Sequence, residues 1–124
     1  MIIVPCCGTC NFGRLSVEAG RIVASQENGK VFSLGAVAAR IESLENVRDI
    51  LVINGCGNAC VSKVLDFLMV PEKWNLDVST LGIAKDADGK VCGDDLTLVV
   101  DAIEAACNDV GDQIPNASGT CGCC

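Results

Sequence analysis

Ten cysteines in 124 residues, with no histidine and no tyrosine, confine most of the chemistry open to this chain to sulfur. Half of them fall in two short stretches. Cys6-Cys7-Gly8-Thr9-Cys10 holds a C-x3-C and a C-x2-C pair, and Cys56-Gly57-Asn58-Ala59-Cys60 holds another C-x3-C. Metals bind thiolates, and four convergent thiolates without imidazole suit a closed tetrahedral zinc site or, as the alternative, an iron–sulfur cluster. Cys6, Cys7, Cys10, Cys56 and Cys60 are therefore the candidate metal ligands, with Zn2+ the expected ion. The lack of histidine removes Ser-His-Asp and Cys-His catalysis from the isolated chain. Other readings stay open. Cys7-Gly8-Thr9-Cys10 has the two-residue spacing of a dithiol redox pair, the thiols could serve as sulfur carriers, and cysteines at strand ends can be small buried hydrophobes in a plain interaction domain. No P-loop, dinucleotide fingerprint or carboxylate pair points to a substrate, so nothing in the residues decides whether the chain is an enzyme.

The elements that must position these thiols alternate between two types. Ile2 to Val4 is a short β-branched run stopped by Pro5, and Ile50 to Ile53 is a second one ending in Asn54-Gly55-Cys56; both read as buried strands. Behind the first loop, Leu15, Ala19, Ile22 and Val23 recur at helical spacing up to Asn28-Gly29. Behind the second, Val61, Val64, Leu65 and Leu68 do the same, with Ser62, Lys63 and Asp66 outward and a stop at Pro71. Lys30 to Leu34 reads as a strand, Ala36 to Leu44 as a small-residue helix and Leu76 to Ile83 as a further strand. Asp86-Ala87-Asp88-Gly89 is a turn, and Leu96, Val99, Val100 and Ile103 mark a last helix opened by Asp94-Asp95. This alternation predicts a single-domain, three-layer α/β protein with a mostly parallel sheet and helices on both faces. In that architecture ligands gather beyond the carboxyl ends of the strands, where both cysteine loops would lie. The helix after each loop presents an N-terminus, which favours thiolate.

Residues 1–108 are expected to form the cysteine-rich domain. Residues 109–124, rich in Gly, Ser, Asn and Asp, read as a flexible tail whose Cys121, Cys123 and Cys124 could meet a protein partner and pass it metal or sulfur. Cys107 reads as core packing and Cys92 as a surface thiol. A net charge of −7 disfavours nucleic acid and anionic lipid as partners. The N-terminus lacks the basic and long apolar regions of a signal peptide, and no stretch approaches the ~18 apolar residues of a membrane span. A cytoplasmic, reducing setting follows, in which clustered thiols are more often metal-binding or catalytic than cross-linked.

Taken in order, Pro5-Cys6, Gly8, Asn11, Gly13 and Leu15-Ser16, then Ile53-Asn54-Gly55-Cys56 with Cys60-Val61, and then Leu81-Gly82-Ile83 resemble the DGC-domain proteins. That family is assigned to zinc binding and named for a central Asp-Gly-Cys. The resemblance runs from about Ile2 to Cys107. It implies Cys6, Cys56, Cys60 and a cysteine after the second strand as ligands, and this chain has Ser33 at that last position. It also has Asn54 in place of the motif's Asp. The resemblance therefore implies that Cys10 or Cys7 would have to supply the missing thiolate.

Overall fold

A computed structural model describes residues 1–39, 44 and 46–108 of the chain. In chain order these form β1 (Ile2–Pro5), α1 (Asn11–Gln26), β2 (Lys30–Val31), α2 (Leu34–Ala38), β3 (Ile50–Asn54), α3 (Cys60–Phe67), β4 (Trp74–Asp77), a 3-10 turn (Val78–Thr80) and α4 (Gly93–Asn108). Among the described residues the four strands make one sheet in the order β2-β1-β3-β4, every pair parallel. β1 and β3 are neighbours over their whole length, from Ile2 opposite Ile50 to Pro5 opposite Ile53.

The apolar strand residues divide between two cores. Ile3, Leu51, Ile53 and Leu76 meet Leu15, Ala19 and Val23 of α1 and Val99 and Ile103 of α4. Val4, Ile50 and Val52 meet Leu34 and Val37 of α2 and Val61 and Leu65 of α3 on the opposite face. With helices over both faces, β3 is buried at every position, which is why its sequence is a continuous apolar run rather than an alternating one. The expected three-layer α/β architecture is the one observed. Among the described residues no helix is long and apolar enough to cross a membrane.

The topology matters more than the strand count. From β1 the chain crosses by α1 to β2 on one side, and from β3 it crosses by α3 to β4 on the other. Right-handed crossovers running in opposite directions place α1 and α3 on opposite faces, and the two connections diverge from the C-terminal ends of β1 and β3. That divergence is the topological switch point, where doubly wound sheets open a crevice.

Three local expectations give way. The second strand is only Lys30–Val31, because Ser33 turns the chain into α2 by accepting a hydrogen bond from Ala36 N at 3.2 Å. The last strand lies earlier than Leu76 to Ile83: the Asp77 carboxylate accepts from Ser79 N (2.9 Å) and Ser79 Oγ (2.6 Å), coiling Val78–Thr80 into a 3-10 turn. Ser62 points inward and is buried, for a reason given below. The small-residue helix appears as Leu34–Ala38; its expected continuation through 40–43, and the tail 109–124 with Cys121, Cys123 and Cys124, lie outside the described residues.

Candidate functional site

Cys6 continues β1 by one residue, its N–H donating to the Ile53 carbonyl at 2.8 Å. Its side chain is 1 % exposed and belongs to the core on the α2/α3 face. The Sγ accepts a hydrogen bond from Gly8 N at 3.4 Å, so the loop curls back over its own first sulfur. A β-carbon added at Gly55 would sit 3.0 Å from that same Sγ. The first cysteine of one loop therefore rests against the backbone of the other, and any larger residue at 55 would have to displace that sulfur.

The remaining thiols occupy different environments. Cys56 and Cys10 are both buried and share the core on the α1/α4 face. Cys10 is the N-cap of α1 with no side-chain capping bond, leaving its sulfur uncommitted at a helix N-terminus. Cys60 is the first residue of α3 and half-buried, preceded by Ala59 in the left-handed region at φ 50°. Cys7 is exposed and belongs to neither core. Cys92 is exposed, as expected, while Cys107 is half-buried against the α1/α4 core. Burial first, and then the negative charge of Glu27, push the Cys107 thiol above its usual range.

Two polar anchors that the sequence reading missed hold the loops. Asn11, the first residue of α1, donates to the Ala84 carbonyl and accepts from Asp86 N, both at 2.8 Å, while its own N–H donates to the Asp86 carbonyl. This ties the 84–89 segment to the end of the first cysteine loop. At the other loop, Asn54 Nδ2 donates to Ser62 Oγ (2.9 Å) and to Asn75 Oδ1 (3.1 Å). Ser62 Oγ in turn donates to Glu72 Oε2, and Asn75 Nδ2 donates to Glu72 Oε1 and to Ser62 Oγ. The ring clamps the first turn of α3 to β3 and β4, which is why Ser62 faces inward. Helical spacing alone gave it no reason to; a serine one turn into a helix behind a strand-terminal Asn is the only hint.

All-sulfur donors suit zinc or an iron–sulfur cluster, but among the described residues no group of three or more Cys, His, Asp or Glu side chains stands close enough to share a metal ion. The fold brings the Cys6 and Cys56 loops together, and it leaves the five candidate sulfurs divided between two cores and the surface.

The sheet order and the two loops define a doubly wound α/β protein with both cysteine loops at its switch point. The chain belongs to the DGC-domain family, whose model, described as DGC domain, matches residues 2–103. No curated protein and no solved structure matches it.

Proposed function

We propose that this DGC-domain chain binds zinc at the crevice between the β1 and β3 loops, using Cys6, Cys10, Cys56 and Cys60 as thiolate donors. The observation that carries the proposal is topological: both cysteine loops leave the pair of adjacent strands that flank the switch point, with the Cys6 sulfur against Gly55. Cys10 is preferred to Cys7 as the replacement for the thiolate lost at Ser33, because Cys10 is buried in the same core as Cys56 and Cys7 is not. Since three sulfurs do not already stand together, the reading requires side chains to move on binding, and metal affinity then includes the cost of that rearrangement. A reducing cytoplasm is the setting it needs. A protein partner met by Cys121, Cys123 and Cys124 belongs to the same proposal, and equal metal transfer by a chain ending at Gly119 would remove it.

The test is anaerobic purification without added metal, followed by elemental analysis and thiol alkylation. The expected result is about one zinc per chain with four slowly alkylated loop thiols, and loss of zinc in a Cys6→Ser/Cys56→Ser chain. Iron with acid-labile sulfide would replace zinc by a cluster, and no metal with reactive loop thiols would overturn metal binding altogether.

One observation favours a second reading, thiol redox or sulfur carriage. Cys7 is exposed while Cys10, three residues on, is buried at the N-cap of α1, the unequal access expected of an attacking and a resolving thiol. A reversible Cys7–Cys10 disulfide in metal-free protein, titrated against a glutathione buffer, is its signature.

A further inference from the structure

Cys7 opens onto a cavity of about 640 Å³ that the zinc proposal does not use. Its floor is the close contact of the first cysteine loop with α1: a β-carbon added at Gly13 would lie 2.1 Å from the Gly8 carbonyl oxygen. Its far wall is the 86–89 turn, drawn in by the Asn11 bonds. Gly89, with φ +77°, sits so tightly that an added β-carbon would meet Thr9 O at 2.6 Å and Arg14 Nε at 2.7 Å. This packing sets Arg14 and Lys90 on the cavity beside Cys7, with Val17, Val91 and Leu96 supplying apolar surface. Glu18 also reaches the rim, its carboxylate 3.9 Å from Arg21 in an exposed pair. Among the described residues neither Arg14 nor Lys90 has a carboxylate within ion-pair distance. Lys90 also borders a neighbouring cavity that Asp86 and Asp95 line. In a chain of net charge −7, a cavity lined by an exposed thiol, two cations and the single carboxylate of Glu18 is a locally cationic place that suits an anionic ligand.

We propose that this cavity is a binding and reaction site for a small anionic disulfide, which thiolates Cys7. The Cys7 thiol gives its proton to solvent and its sulfur bonds to one sulfur of the disulfide. The S–S bond breaks, and the released half departs as a thiolate that takes up a proton. Cys7 is oxidised, the released half is reduced, and the bound half stays as a mixed disulfide with its carboxylates beside Arg14 and Lys90. No metal is needed, so the site is independent of the zinc proposal; a resolving Cys10 would release the bound half again, so the rate at Cys7 is also read in a Cys10→Ser chain, where the mixed disulfide persists.

The test uses the full reduced chain and two probes of opposite charge, glutathione disulfide and cystamine, with the rate of mixed-disulfide formation at Cys7 read by peptide mass spectrometry. Raising the salt concentration in the unaltered chain should slow glutathione disulfide at Cys7, because local cations are screened. If net charge alone governed approach, salt would speed the anion instead, and that outcome overturns the proposal. The ratio of anionic to cationic rates should fall about tenfold in an Arg14→Gln/Lys90→Gln chain, the product of two exposed charge contacts of roughly threefold each, and survive in Arg14→Lys. An unchanged ratio in a normally folded double variant, or no thiolation at Cys7, also overturns it.

Discussion

Asn54 is where this chain departs from the Asp-Gly-Cys of its family, and the hydrogen bonds say what the amide contributes. Its Nδ2 supplies two donors to a ring in which Glu72 already provides the carboxylate, and the side chain is 1 % exposed. Asn54→Asp removes both donors and adds a second negative charge to a partly buried cluster. It should cost about 1–3 kcal/mol of stability at neutral pH, measured by urea unfolding. The loss should shrink on acidification, because a buried carboxyl beside another is protonated more readily in the fold than in the unfolded chain. Unchanged stability would mean that the ring accepts an acid. Cys107 carries a different pH dependence. Its raised pKa means that the fold favours the neutral thiol, so its contribution is intact below the ordinary thiol pKa and is lost as pH rises through the raised value. The alkaline decline in stability should therefore be shallower in Cys107→Ala than in the natural chain, by thermal melts at stepped pH.

At the scale of elements, two glycines predict opposite outcomes from the same substitution. Gly13 lets α1 press against the Gly8 carbonyl, where an added methyl has only backbone to displace. Gly13→Ala should destabilise by about 1–3 kcal/mol or more and shift the first cysteine loop. Gly35 lies inside α2 with nothing within 4 Å of an added β-carbon, so Gly35→Ala should stabilise by about 0.5–1 kcal/mol. If the two changes moved the melting temperature alike, the close contact at Gly13 would be wrong. These elements were unequally legible in the sequence. β1, β3, α1 and α4 follow from apolar runs and 3.6-residue spacing, since packing on the sheet dictates both. The ends of β2 and β4 do not, because each is cut short by a single side chain, Ser33 or Asp77, competing for backbone N–H groups.

Over the whole molecule, the switch point between β1 and β3 was inferable in part: two strand–cysteine-loop–helix units imply loops on one edge, but not that the strands are neighbours. The side-chain division of the cysteines was not legible at all. It depends on which face each loop residue turns to after its strand ends, and Cys6 and Cys56, each the first cysteine of its loop, go to opposite cores. The strand order also ranks local stability. β1 and β3 are paired on both sides, whereas β2 is a two-residue edge. Amide hydrogen exchange should be slowest at Val4 and Val52 and fastest within the sheet at Lys30 and Val31; comparable rates would contradict the order.

The ring around Asn54 also acts as a preservative. An Asn followed by Gly is the pair most prone to spontaneous deamidation, because the next backbone nitrogen can attack an unrestrained amide. This chain has two, Asn28-Gly29 on an exposed turn and Asn54-Gly55 at the end of the buried β3. In the folded protein, ageing should convert the first and spare the second; in urea both should convert at similar rates, as peptide mass spectrometry would register. A molecule that lingers unfolded thus acquires isoaspartate or Asp at position 54, in a setting built for an amide, and refolds with its clamp on α3 weakened.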